Sequence, residues 1–355
     1  MAEASERPVV GSTTEVAVKQ RFDEAKLFAW ATAAIPDFGD ELVVRQFQGG
    51  ASNPTFLLTT TDAGVAKRYV LRKKPPGTLL ASAHQVDREY RVMKALGQTG
   101  VPVPVMRALC EDPDVIGTAF YIMDYLEGRV FRDATLPDLT PADRSAVYDQ
   151  LNQVLAQLHS VDYLAVGLEG YGRPDGYFER QVARWTKQYR GAESEHLPAM
   201  EKLIEVLPGL IPKDSSVSIA HGDYRLENVM FHPTEPRLIA VLDWELSTIG
   251  HPLADIGYNG FIWHSHSPGW GSLDGVNFET SGIPSEADYV AAYCRRTGRD
   301  RIDNYNFYLA FGIFRLASIS QGVYQRVLSG VVASEREAIN GAGPLAEQAL
   351  ELLYR

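Results

Sequence analysis

The stretch Ser218–Ile256 constrains this chain more than any other: SIAHGDYRLENVMF, a short polar turn, then LIAVLDWELSTIGHPLADI. His221-Gly222-Asp223 leads through Tyr224-Arg225-Leu226-Glu227 to Asn228. Apolar runs, Val229-Met230-Phe231 and Leu238 to Leu242, flank the turn Pro233-Thr234-Glu235-Pro236, a pattern that reads as two short buried strands in a hairpin. Such a hairpin sets Asn228, just before its first strand, near Asp243, just after its second. Asp255 closes the stretch.

Taken singly, these polar residues have structural uses: Asp223 as a helix cap, Asn228 in a turn, Asp243 at a strand end. Together, in this order, they match what phosphoryl transfer requires. One carboxylate must orient an attacking hydroxyl and take its proton, and hard oxygen ligands must hold Mg²⁺ on the phosphates. The HxDxxxxN spacing supplies Asp223 for the first task and the Asn228 amide oxygen for the second. Asp243 brings a further hard ligand.

The wording HGDYRLENVMF…VLDWELSTIGHPLADIGY resembles the catalytic segment of the aminoglycoside phosphotransferase and choline kinase superfamily. Within it, the similarity points to the kinase-like domain associated with acyl-CoA dehydrogenases. The resemblance implies an α+β, protein-kinase-like two-lobe fold, with a small antiparallel-sheet N-lobe and a mostly helical C-lobe. It places a nucleotide-binding lobe over residues 1–126 and a catalytic and substrate-binding lobe over 127–355. ATP and Mg²⁺ are the implied cofactors, and Asp223 the implied catalytic residue. His221 is expected to brace the loop and Asp255 to anchor it from the following helix, while Arg225 and Glu227 are candidates to face substrate. Protein kinases separate their metal-binding Asp from an APE element by a long segment. Here His251-Pro252-Leu253-Ala254-Asp255 follows Asp243 within one short turn and no APE occurs, so a small-molecule acceptor is expected.

Upstream, a helix is expected over about 15–34 and strands over 41–47, 55–60 and 68–73. Between the first two strands, Gln48-Gly49-Gly50-Ala51-Ser52-Asn53-Pro54 reads as a turn whose small residues would let backbone N–H groups approach a phosphate. Ser52 and Asn53 are its candidate nucleotide contacts. The third strand ends in Arg72-Lys73, and alternation sends these bases to opposite faces, so only one can meet the phosphates. The resemblance selects Arg72, leaves Lys73 as a solvated charge, and makes Glu89 the partner of Arg72. Glu89 lies on a helix expected over 81–96, one position from the apolar face of Val86, Tyr90, Met93 and Leu96. By analogy with kinases, the Asp124 carbonyl and Leu126 amide would bond adenine, and Met123 would flank its pocket.

Further on, Thr140-Pro141 is a good helix start, with Thr as N-cap and Pro at N1. That helix is expected to end in a capping His159. Helices are also expected over about 177–190, 198–206, 285–297, 304–328 and 333–354. The 260–282 segment carries Trp263, His264, His266 and Trp270, with no adjacent acid or third histidine to complete a zinc pattern.

Composition narrows the function. The 355-residue chain carries a formal charge of −11, which argues against nucleic acid or an anionic membrane as the main partner. Residues 1–16 read as a flexible lead-in without a leader's apolar region, and no run is long enough to span a membrane. Two cysteines, Cys110 and Cys294, are too few for a disulfide framework, so a cytoplasmic location is expected. The acceptor implied by the resemblance is a hydroxyacyl compound or its CoA ester. An aminoglycoside or choline-type amino alcohol is the alternative, for which Glu335, Glu337, Glu347 and Glu351 would be recruiting acids. A non-catalytic nucleotide- or acyl-binding module is the alternative of another class.

Overall fold

The computed structural model describes residues 11–48, 53–75, 85–266, 271–329 and 340–355. The expected α+β class holds, and the chain divides into two compact units. One comprises Met1–Val130, Val166–Leu168 and Asn228–Glu245, and the other Phe131–Ala165, Glu169–Glu227 and Leu246–Arg355.

The first unit is built on a six-stranded antiparallel sheet. Its strands are β1 (Thr13–Thr14), β2 (Glu41–Phe47), β3 (Thr55–Asp62), β4 (Val65–Lys73), β5 (Met106–Cys110) and β6 (Phe120–Asp124), in the order β1-β2-β3-β4-β6-β5. Register pairs Phe56 with Leu71 and Leu71 with Ile122, so these side chains share one face. Helix α1 (Glu24–Ala34) covers that face with Leu27 and Ala31, both fully buried. Burying Leu27 contributes roughly 2 kcal/mol, and Leu27→Ala would open a cavity under the sheet. The opposite face carries Val70, Arg72, Tyr121 and Met123.

Three expectations change here. Helix α1 begins at Glu24 rather than near residue 15, because the Asp23 carboxylate accepts the Lys26 N–H at 3.0 Å and caps it. Strand β5 was not foreseen; Met-Arg-Ala-Leu-Cys lacks β-branched residues and takes its conformation from pairing with β6. Lys73 is not solvated: only 4% exposed, it lies on the α1 side of the sheet with its ammonium 5.8 Å from the Phe56 ring centre. Burial lowers its pKa. The unit also holds α2 (Val86–Leu96), the single turn α3 (Pro113–Ile116), and the expected hairpin of Val229–Phe231 with Leu238–Val241.

The second unit is helical: α4 (Pro141–His159), α5 (Tyr177–Ala192), α6 (Pro198–Val206), α7 (Leu253–Gly260), α8 (Glu286–Thr297), α9 (Tyr305–Leu328) and α10 (Ala342–Leu353). Thr140 caps α4 as expected, its hydroxyl accepting the Asp143 N–H at 3.2 Å. Every residue of α9 from Phe307 to Ser318 is buried, as befits a helix packed on several sides. The short strands Ser218–Ala220 and Thr248–Gly250 pair antiparallel and deliver the chain to His221.

Candidate active site

Within the first unit, a cavity on the Arg72 face of the sheet is lined by Val70, Met123, Leu126, Met230 and Leu242, with Arg72 and Asp243 among its polar walls. Its apolar part suits a planar aromatic group and its polar part an anion. Arg72 follows the strand alternation to this side. Its Nε lies 3.2 Å from Glu89 Oε2, and its Nη2 donates to Asp243 Oδ1 at 3.3 Å and lies 3.8 Å from Glu245. Burial pulls the guanidinium pKa down, but Tyr121, Glu89, Asp243 and Glu245 outweigh it and hold it above the ordinary value.

Glu89 is 1% exposed, although the helix pattern set it beside the apolar face. Two donors besides Arg72 make this possible: Asn53 Nδ2 donates to Oε1 at 2.8 Å and the Tyr121 hydroxyl to Oε2 at 3.0 Å. Burial nevertheless pushes the carboxyl up to about 7, against the pull of Arg72. Asn53 thus has its amide N–H₂ committed to Glu89, while Ser52 lies outside the described residues. Met123, Asp124 and Leu126 all line the cavity. The Asp124 carboxylate is drawn to Arg107, which donates to it at 2.6 and 2.7 Å.

The hairpin brings its two polar ends together, for the Leu242 N–H donates to the Asn228 carbonyl at 2.8 Å. Asp243 then takes a left-handed backbone with φ 60°, which Asp tolerates better than most residues. Trp244, buried beyond it, pins the turn by donating Nε1–H to the Val241 carbonyl at 3.0 Å.

Within the second unit, the loop carrying Asp223 hangs from Asp255 on α7. The Asp255 carboxylate accepts the His221 N–H at 2.7 Å and the Gly222 N–H at 2.8 Å, with His159 Nε2 at 3.1 Å. Burial alone would raise its pKa; His159, His221 and the Gly222 amide prevail and hold it below the ordinary value. Gly222 is required: φ is +83°, and a Cβ there would meet the Leu246 carbonyl oxygen at 2.7 Å. His221 braces the loop as expected, its Nδ1 accepting the Asp223 N–H at 3.1 Å. His159 does not cap α4. Its ring turns inward between Asp255 and the Tyr293 hydroxyl, 2.7 Å from Nδ1, because the buried carboxylate needs the partner.

Asp223 itself accepts the Tyr258 hydroxyl at 2.5 Å, with Arg225 Nε at 3.8 Å. Arg225 also holds Glu227 at 2.8 Å. Tyr258 was missed by sequence reasoning. The available signal was its place three residues after Asp255, on the same helix face.

The histidines of the 260–266 segment do find acids, 22 residues on for His264 and eight for His266. His264 Nε2 lies 2.9 Å from Glu286, which also accepts the Tyr305 hydroxyl at 2.9 Å, and His266 lies 3.2 Å from Asp274. Each histidine has its own carboxylate, so they share no metal-like cluster among the described residues. Glu347 and Glu351 are exposed, as surface helix charges; Trp270, Glu335 and Glu337 lie outside the described residues.

The model of the phosphotransferase enzyme family matches residues 43–304. The chain belongs to this family. Among curated relatives, human acyl-CoA dehydrogenase family member 11 is 46% identical over 351 residues, 96% of this phosphotransferase-family chain and 44% of the relative. The chain therefore spans less than half the length of that relative. A solved structure from Ralstonia eutropha JMP134, provisionally named an aminoglycoside phosphotransferase, is 48% identical. It has a TM-score of 0.86 and covers 94% of this chain and 99% of its own. Choline kinase from Cryptosporidium parvum Iowa II shares the fold at 14% identity, with a TM-score of 0.60 and 94% of each chain covered. The kinase-like two-lobe fold is thereby established for this family member. No helix among the described residues is long and apolar enough to cross a membrane.

Proposed function

We propose that this chain transfers the terminal phosphoryl group of ATP to a hydroxyl group of a small molecule. The observation that carries the reading is Arg72, ion-paired to buried Glu89 and bonded to Asp243 at the polar part of an otherwise apolar cavity. A guanidinium so held can offer its remaining N–H groups to phosphate oxygens without moving. Asn53 acts through Glu89, which it anchors, and Ser52 is a candidate phosphate contact. Met123 flanks the base, and the backbone of Asp124 and Leu126 bonds its edge.

Asp223 orients and deprotonates the acceptor hydroxyl, with Tyr258 fixing the carboxylate. Arg225 and Glu227, locked to each other, shape the acceptor side. Asn228 and Asp243 would hold Mg²⁺; an amide oxygen and a carboxylate are the hard donors that ion takes. When bound, the ion offsets phosphate charge during transfer.

The preferred acceptor is a hydroxyacyl compound or its CoA ester. Its support is the 46% identity to a protein named for acyl-CoA dehydrogenases along 96% of this chain. An aminoglycoside or choline-type amino alcohol is the second reading, favoured by the provisional name of the Ralstonia relative. The net charge of −11 supports a small molecule rather than nucleic acid or an anionic membrane as the partner, and the enzyme is read as cytoplasmic.

Release of ADP from Mg·ATP, measured with hydroxy acids, their CoA esters, aminoglycosides and choline-like amines, tests the reading. Acceptor-dependent release is expected with a hydroxyacyl compound. No release with any acceptor would favour a non-catalytic nucleotide- or acyl-binding module.

A further inference from the structure

Arg315 lies in the fully buried stretch of α9 and is only 7% exposed. Its Nε is buried without a hydrogen-bond partner, and no carboxylate among the described residues forms an ion pair with it. What it does touch is aromatic. Its guanidinium carbon lies 4.9 Å from the Tyr258 ring centre and 5.4 Å from that of Trp185. Trp185 carries a second cation, Arg184, at 5.5 Å. An arginine cannot shed its charge, and a buried charge without a counter-ion is costly, an expense that aromatic faces offset only in part. Such a residue has unspent capacity for an anion that arrives from outside. Its place is telling as well, because the Tyr258 ring lies over Arg315 while its hydroxyl bonds Asp223.

We propose that Arg315 receives an anionic oxygen group of the acceptor, a carboxylate or a phosphate, and so selects acidic hydroxy compounds over cationic ones. This rests on the reading of Asp223 as the group that handles the acceptor hydroxyl. The guanidinium fork suits either anion, through two parallel N–H donors. It is the wrong charge for an aminoglycoside or choline, so the site selects against those acceptors.

Equilibrium binding tests this without turnover. Wild type, Arg315→Met and Arg315→Lys are titrated by calorimetry with short and medium-chain hydroxycarboxylates, their methyl esters, their CoA thioesters, inorganic phosphate and choline. Wild type is expected to bind a carboxylate or a thioester but neither ester nor choline. Arg315→Met should weaken the anion at least about tenfold, with Arg315→Lys between. Binding of free carboxylates alone assigns the carboxylate, and binding of thioesters alone assigns a CoA phosphate. Without ligand, Arg315→Met should unfold no earlier than wild type, since it loses an uncompensated buried charge; a purely structural arginine would make it unfold earlier. Choline or methyl esters binding wild type as tightly as the anions would overturn the proposal. So would unchanged anion affinity in Arg315→Met, or in Arg315→Lys should the Met variant not fold. Absence of phosphoryl transfer in wild type would overturn the kinase reading alone.

Discussion

The Asp255 carboxylate accepts the backbone N–H of His221 at 2.7 Å across 34 residues of sequence, which makes one buried side chain the support of the Asp223 loop. Asp255→Ala would strand the His221 and Gly222 amides and His159 together. A loss of about 3–5 kcal/mol is expected in urea unfolding, with Asp255→Asn milder. Because the folded pKa of Asp255 is depressed, its contribution is present above the ordinary carboxyl value and is lost as pH falls through the lowered one. A variant as stable as wild type would show that the loop is held otherwise.

Asp223→Asn keeps the Tyr258 contact possible but removes the carboxylate proposed as the base. Turnover is expected to fall by about 10²–10⁴ while ATP affinity stays near wild type. Tyr258→Phe deletes a hydrogen bond to a charged group and should cost roughly tenfold or more in kcat. Ordinary turnover in Asp223→Asn would remove this residue from its role.

Arg72 and Glu89 should couple. Arg72→Ala is expected to raise the KM for ATP, and combining it with Glu89→Ala should cost much less than the sum of the two, since the second change removes a partner already lost. Lys73→Met should leave the KM for ATP unchanged and raise or preserve the melting temperature, because it keeps the buried stem and drops a desolvated charge. A Lys73 variant with impaired ATP use would contradict the assignment of the two faces.

Asp243→Ala bears on the proposed metal site. Calorimetric ATP affinity in wild type should depend on Mg²⁺, and in the variant that dependence should largely vanish. The variant also frees an Arg72 N–H, so metal-free ATP binding is expected to survive. Equal Mg²⁺ dependence in both proteins would reassign the ligand.

His251 gives a pH signature. The ring is 4% exposed, stacks on Tyr308 at 5.6 Å, and has its pKa lowered from 6.5 to about 4 chiefly by burial, with Asp214 pulling the other way. The unfolded chain takes up this proton below its higher pKa, so stability should fall as pH drops from 6.5 to about 4, by roughly 3 kcal/mol in all. His251→Asn keeps an acceptor for the Leu253 N–H, which Nδ1 now accepts at 3.2 Å. Its unfolding midpoint should vary less over that range, and an identical pH profile would exclude His251 as the source.

What could be read along the chain was whatever repeats or pairs over a few residues. The hairpin after Asn228, the Thr140 cap, and the opposite facing of Arg72 and Lys73 all follow from alternation, turn residues and capping chemistry. The limit showed at Lys73 and at β5. Alternation told which way Lys73 points, but not that α1 would cover that face; β5 gains its strand conformation from β6, which its own residues do not encode.

The sequence by itself determined the order of the residues proposed for phosphoryl transfer and the local backbone that presents them. Only the tertiary structure decided which polar groups find partners. Glu89 is buried because Asn53, from the turn before β3, and Tyr121, from β6, arrive to satisfy it. Asp223 is fixed by Tyr258 and its loop by Asp255, across 35 and 34 residues of sequence. Among the described residues, Arg315 is left without a carboxylate in the middle of a buried helix. The reason is physical: periodicity is set by bonded geometry within a few residues, whereas the cost of burying a charge depends on every segment packed around it.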